Sequence, residues 1–255
     1  MDLATIIGLI GGAGMIVMSV ITSGGSMGEI IDIPSVFMTI GGSFMALFIC
    51  GPLKKTLGVF GVMGKAFKVR DFGEKTLVQN MVALSEKARR EGILALESRV
   101  EEIQDPFFRN GLSMVIDGMD PEFVGDVLDA ELTIMEQRHA EMRSIFSQAG
   151  TYAPTLGVLG AVVGLIAALG NLNDIDKLGH SIAAAFVATI LGIFTGYVLW
   201  LPFANKLKIK SENEVSHKRT IMEGILSLQA GDSPTQIESK LMIYIPQGER
   251  EAAKE

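Results

Sequence analysis

Four stretches of this 255-residue chain, 3–28, 33–53, 144–173 and 181–205, contain no Asp, Glu, Lys, Arg or His. Each holds roughly 20 residues apolar enough to cross the hydrocarbon of a bilayer. A helix satisfies its own backbone polar groups in lipid, so the pattern predicts an all-α, polytopic membrane protein with four transmembrane helices. Ion-moving membrane proteins usually set an ionisable side chain inside the hydrocarbon. No carboxylate, imidazole or basic side chain stands in these four stretches, and any such ion carrier must therefore come from a partner.

Charge outside the spans sets an orientation. Residues 51–70 hold Lys54, Lys55, Lys65, Lys68 and Arg70 without one acid, and Lys206, Lys208 and Lys210 follow the fourth span. By the positive-inside rule both segments face the cytoplasm. The short connections 22–32 and 170–180 carry one Lys or Arg between them, Lys177, and read as outer turns. The expected location is the cell (inner) membrane, multi-pass, with the large loop and the C-terminus cytoplasmic. Only Asp2 precedes the first span and no small-x-small cleavage site follows it, so that span is read as a retained anchor.

Several function classes recede on composition. Net charge is −7, and residues 71–150 set 16 acids against 8 bases. Such a surface repels phosphates, so nucleic acid is not an expected partner. The single cysteine, Cys50, cannot close an intrachain disulfide, and three scattered histidines lack metal-ligand spacing. No metal or cofactor is expected. Gly58 to Lys65 resembles a phosphate loop only loosely: the glycine spacing is one residue too long and Ala66 stands where Ser or Thr is required. No HExxH or GxGxxG occurs, and the chain is not expected to be an enzyme.

The residues between the second and third spans read as helices broken by Gly and Pro. Leu77, Met81, Leu84 and Ala88 recur at helical spacing, and Gly92 is placed to end that helix. Asp105-Pro106 and Asp120-Pro121 each set a capping carboxylate before a first-turn proline. From Pro121 a long amphipathic helix should run into the third span, projecting below the membrane. After the fourth span helical composition persists to Gln229, and Ser233-Pro234 starts a short final helix through about Met242. A charged tail follows Pro246. The predicted blocks are 1–50, transmembrane helices 1 and 2; 51–150, a cytoplasmic helical domain; 151–203, transmembrane helices 3 and 4; and 204–255, C-terminal cytoplasmic helices and tail.

Each residue singled out for chemistry has a structural alternative. Ala184, Ala188, Gly192 and Gly196 fall at intervals of four, as do Ala153, Gly157 and Ala161. They suit close packing of transmembrane helices, or a narrow helix of another subunit lying beside a polar ion path. Thr155, Thr189 and Thr195 would line such a path, or bond their own i−4 carbonyls. Pro154 and Pro202 are either hinges or helix-end shapers. Residues 86–102 carry nine charges, among them Glu86, Lys87, Arg89, Arg90, Glu97 and Glu101, and offer a solvated face or a docking face. Asp32 before Pro34 is an N-cap for span two or an acid at an outer ion entrance.

The run Gly150-Thr-Tyr-Ala-Pro154-Thr-Leu-Gly157-Val-Leu-Gly160-Ala-Val-Val-Gly164-Leu165 resembles the signature of the MotA/TolQ/ExbB proton-channel superfamily. The opening Met1-Asp-Leu-Ala-Thr-Ile-Ile-Gly-Leu-Ile-Gly-Gly12, the stretch Ala88-Arg89-Arg90-Glu91-Gly92 and the segment Gly224 to Leu241 narrow this to the MotA/PomA stator subunits of the bacterial flagellar motor, end to end. That resemblance implies a ring of five copies around two copies of a MotB/PomB-type B subunit whose single transmembrane helix carries an aspartate. It implies ion flow coupled to torque on a rotor switch protein of the FliG type. By motif position, Pro154 and Pro202 resemble the family's two functional prolines and Thr189 the threonine near the ion-carrying aspartate. Arg89, Arg90 and Glu97 resemble its rotor-engaging charges. Ala161 resembles the proton-type pattern, whereas Asp32 resembles the acid of sodium-type members. Protons are favoured, with sodium the alternative, because residue 161 should lie closer to the carboxylate. An ExbB/TolQ-type energiser of periplasmic proteins usually has three spans, so the extra N-terminal hairpin counts against it. A non-conducting membrane scaffold is the remaining alternative.

Overall fold

The computed structural model describes residues 2–25, 28, 32–68 and 72–245, and every regular element among them is helical. Arg70 of the basic segment and the tail after Pro246 lie outside the described residues. Helix α1, Leu3–Thr22, is capped by the Asp2 carboxylate, which accepts from Thr5 N–H. Span two begins as α2, Ile33–Val36, widens into a π-helical turn at Phe37–Gly41 and continues as α3, Gly42–Cys50. Two short helices, α4 (Leu53–Leu57) and α5 (Val59–Ala66), follow Pro52.

The expected caps and stops recur in α6 to α8. Helix α6, Glu74–Glu91, ends at Gly92, whose φ of 88° and N–H to Ala88 C=O bond of 2.9 Å are open to glycine at little cost. Helix α7, Glu97–Val100, follows a 3₁₀ turn at Ile93–Leu96, and α8 spans Pro106–Ile116. Asp105 Oδ1 accepts from the N–H groups of Phe107 and Phe108 at 2.8 and 3.2 Å, the cap that its pairing with Pro106 predicts.

Helix α9, Pro121–Leu169, is 49 residues long, with Asp120 Oδ1 accepting from Glu122 N–H at its start. At a rise of about 1.5 Å per residue it measures about 74 Å, more than twice a hydrocarbon core of about 30 Å. Helix α10, Ile175–Phe194, passes through a π-helical turn at Thr195–Trp200 into α11, Leu201–Gln229. Helix α12, Pro234–Leu241, opens on a reciprocal capping box between Ser233 and Gln236 and closes in a 3₁₀ turn at Met242–Tyr244. Among the described residues four helices are long and apolar enough to cross a membrane, and each overlaps one of the four expected spans.

Two compact units emerge, residues 1–69 with 139–208, and residues 70–138 with 209–255. Residues 51–69 and 139–150, which sequence groups with the central block, thus pack with the spans. The first unit centres on Leu47, Val59, Ala66, Phe146, Ala149, Ala153, Trp200, Phe203 and Ala204. Helix α1 contributes no buried residue to it, although Leu9 packs against its edge. The second unit buries the α6 stripe of Leu77, Val78, Met81 and Leu84 against Phe107, Leu112, Leu128, Ile221, Ile225 and Ile237.

Inside the first unit, spans three and four meet at their small residues. A Cβ added to Gly157 would lie 2.8 Å from Ala188 O and 3.0 Å from Gly192 Cα, and one added to Gly192 would lie 2.6 Å from Ala153 O. Gly164 faces Ala185 in the same way, with 3.0 Å to its Cβ. Backbone contact of this kind is what holds helices together where lipid removes the hydrophobic incentive. Gly157→Val is expected to cost about 1–3 kcal/mol through overpacking. Thermal unfolding of the detergent-purified protein checks this, and a midpoint equal to wild type would refute it.

Candidate functional site

The close α9–α10 crossing occupies much of the small-residue pattern. Ala153, Gly157, Ala188, Gly192 and Gly196 face one another within the chain, while Ala161 and Ala184 stay partly exposed. What α9 leaves uncovered is a stripe running through Thr151, Thr155, Val158, Val162 and Ile166, all exposed. Along that stripe Thr151 donates to Ser147 C=O at 3.0 Å and Thr155 to Thr151 C=O at 3.1 Å. On the fourth span Thr189, partly buried, donates to Ala185 C=O at 3.2 Å, and Thr195 donates to Leu191 C=O at 2.7 Å. Each hydroxyl keeps its lone pairs as acceptors.

The second span carries a hydroxyl series that the sequence reading passed over. Ser35, Thr39 and Ser43 are all at least 96% buried, and Thr39 donates to Ser35 C=O at 2.7 Å. Ser35 Oγ contacts both Asp32 Oδ2, at 2.5 Å, and Ala184 C=O, at 3.2 Å. Asp32 also accepts from Ser35 N–H at 2.9 Å and so caps span two, while Ser35 Oγ is the group that reaches span four. Hydroxyls at 35, 39 and 43 share one helix face, and that spacing was the available signal.

Both candidate hinge prolines come to one helix crossing. Pro154 lies inside α9, where it removes the N–H that would reach Gly150 C=O. A Cβ added to Gly196 would sit 2.8 Å from Pro154 Cγ and 2.9 Å from Gly150 O, and one added to Gly150 would sit 2.6 Å from Leu201 Cγ. The proline defect therefore abuts the π-helical turn Thr195–Trp200, and Pro202 follows that turn directly. A π turn accommodates a following proline because its backbone ladder is already out of α register. Trp200, 4% exposed, has its indole N–H without an acceptor among the described residues.

In the second unit Arg89, Arg90 and Glu97 are exposed. Arg90, but neither Arg89 nor Glu97, lines a groove of about 990 Å³ together with Glu86, Lys87, Glu91, Arg99 and Glu102. Arg99 pairs with Glu102 at 2.7 Å, and Lys87 donates to Ser98 at 3.2 Å. At one side of the groove His217 Nδ1 meets Glu74 Oε1 at 3.0 Å and its ring stacks on Phe72. These two groups are 143 positions apart in sequence, so no local spacing announces them. Among the described residues no group of His, Cys, Asp and Glu is arranged to hold a metal ion.

Polar ties fasten the first unit where α1 begins and where the uncharged stretch of the fourth span ends. Lys206 pairs with Asp2, whose N–H also donates to Phe67 C=O at 3.0 Å. The hydrogen bond from Lys206, with the cap to Thr5, holds the Asp2 carboxyl below its ordinary value of 3.8. A depressed carboxyl stabilises the fold above its unfolded pKa, and that contribution is lost as pH falls through the folded value. Wild type is expected to exceed Asp2→Asn in thermal midpoint at pH 7, with the two converging as pH falls through the depressed folded value. A constant gap across an acid titration followed by circular dichroism would refute this.

The MotA/TolQ/ExbB proton channel family matches residues 99–220. The chain is similar to motility protein A of Bacillus subtilis (strain 168), with 46% identity over 253 residues covering 98% of this chain and 93% of that protein. It is similar to motility protein A of Treponema phagedenis at 43% identity over 256 residues, covering 100% and 98%. Among solved structures it resembles the flagellar MotAB stator complex from Bacillus subtilis with a TM-score of 0.92 and 44% identity, covering 98% of each chain.

Proposed function

We propose a mechanism from the premise that this chain belongs to the MotA/TolQ/ExbB proton channel family, in its motility protein A branch: it is the A subunit of a flagellar motor stator and works with a B subunit. The observation that carries the mechanism is that four spans hold no Asp, Glu, Lys, Arg or His while α9 presents an uncovered, hydroxyl-bearing stripe. An ion crossing here needs a carboxylate from the B subunit, and the stripe through Thr155, with Thr189 and Ala161 nearby in the same unit, is the surface we assign to it. Five A subunits around two B subunits is the arrangement we adopt. One charge crossing 100 mV supplies about 2.3 kcal/mol, enough to bias a small helix rearrangement.

The same reading assigns the remaining residues. Protonation and release of the partner's carboxylate would be sensed at the crossing of Pro154 with the π-helical turn before Pro202, where an interrupted backbone ladder lowers the cost of bending. The segments 51–68 and 206–210 face the cytoplasm, where Arg89, Arg90 and Glu97 engage a rotor protein of the FliG type. We take protons as the ion. Asp32 is committed to capping Ser35, which supports a structural part for it in a proton motor.

Co-expression with its B subunit in a stator-deleted swimmer tests this reading. Swimming that is insensitive to sodium and abolished by a protonophore is expected; swimming that scales with sodium would overturn the ion assignment, and no rescue despite membrane assembly would overturn the stator mechanism. Asp32→Ala is expected to leave torque largely intact. Arg89→Glu should impair swimming without loss of membrane assembly, and unchanged torque would count against rotor docking there. Leu94→Cys in a Cys50→Ser background places a thiol on an exposed side chain. An impermeant maleimide should label it in inverted vesicles and not in intact cells.

A further inference from the structure

We infer that helices α4 and α5, with the start of α11, form a binding surface for anionic phospholipid headgroups of the inner leaflet. This rests on the cytoplasmic placement proposed above. Three features of the first unit point to it. Leu53 and Leu57 are 61% and 51% exposed, one turn apart on α4, and Lys54 and Lys55 stand between them, both exposed. Helix α5 buries Val59 and Ala66 at 1% and 0% exposure, while Lys65 and, just beyond the helix, Lys68 are exposed. A Cβ built on Gly61 or Gly64 would meet nothing within 4 Å, so that side of α5 stands clear.

Charge decides what such a surface takes. Among the described residues at this end of the unit, Lys54, Lys55, Lys65, Lys68, Arg143, Lys206 and Lys208 stand against two carboxylates, Asp2 and Glu141. At the opposite end Asp32, Asp174 and Asp176 face Lys177 alone among Lys and Arg. Exposed leucines beside lysines, directly following a membrane span, suit an interfacial segment: the leucines enter the acyl boundary and the lysine stems reach up to phosphate. Clusters of this size attract anionic headgroups, with attraction falling off within a Debye length. An acidic protein would be drawn by the same charge, but the flanking leucines and the adjoining spans place the surface at lipid depth.

The test uses the full chain with its B subunit, reconstituted in phosphatidylcholine vesicles, and spin-labelled phosphatidylglycerol or phosphatidylcholine as probe. Electron spin resonance should give phosphatidylglycerol a selectivity of at least about threefold at low salt, shrinking as salt rises. The Lys54→Gln, Lys65→Gln, Lys68→Gln triple variant should abolish it, and Lys54→Gln alone should reduce it if the triple variant fails to assemble. Lys177→Gln, at the opposite end, should leave it unchanged. Equal association of the two probes, or selectivity that survives the lysine variants, would overturn the proposal. A wrong orientation would appear in the maleimide labelling while leaving selectivity at these lysines intact, so the two failures are distinguishable.

Discussion

Backbone contact between α9 and α10 is the constraint on which the membrane unit depends. Gly157 and Gly192 approach so closely that a single Cβ on either would press against the other helix. Lipid offers helices no hydrophobic reason to pair, so the contact has to come from van der Waals proximity, which only small residues allow. Ala153, Gly164, Ala185 and Ala188 extend the seam along the crossing. Larger side chains are thereby turned outward, and the apolar stripe on α9 is a by-product of that seam. It is exposed in this chain because the small residues are used up.

The crossing also fixes where the spans can bend. Pro154 interrupts one ladder, the π-helical turn Thr195–Trp200 loosens the other, and Gly196 lets the two defects touch. Two weak points in register make one soft joint, whereas either alone would be stiffened by its regular neighbour. Where span two begins, the tie is of a different kind, through Asp32, Ser35 and the carbonyl of Ala184.

Much of this architecture was legible in sequence because its signals are local. Uncharged runs mark the spans, Asp105-Pro106 and Ser233-Pro234 mark helix starts, and Gly92 marks a stop, since caps and breakers act within one turn. The π turns were not legible: Phe37–Gly41 and Thr195–Trp200 read as ordinary helix, and only packing against neighbours decides the register of the ladder. Small residues at fixed intervals announced close packing but not which helix would be the neighbour. Likewise the groove lined by Arg90, Arg99 and Glu102 joins α6 to a segment beyond a 3₁₀ turn, and no periodicity carries across such a turn. The Glu74–His217 contact lies further still from any local rule.

The back-bonded hydroxyls have a consequence for the sign of charge they tolerate. Thr151, Thr155 and Thr189 each commit their hydrogen to a carbonyl one turn earlier. What remains facing outward is oxygen lone pairs, with no donor to offer. A surface built this way solvates a hydronium or a bare cation and gives nothing to chloride. Discrimination against anions would then be written into the helix backbone itself, before any fixed charge is added, because each carbonyl decides which way its threonine's proton points.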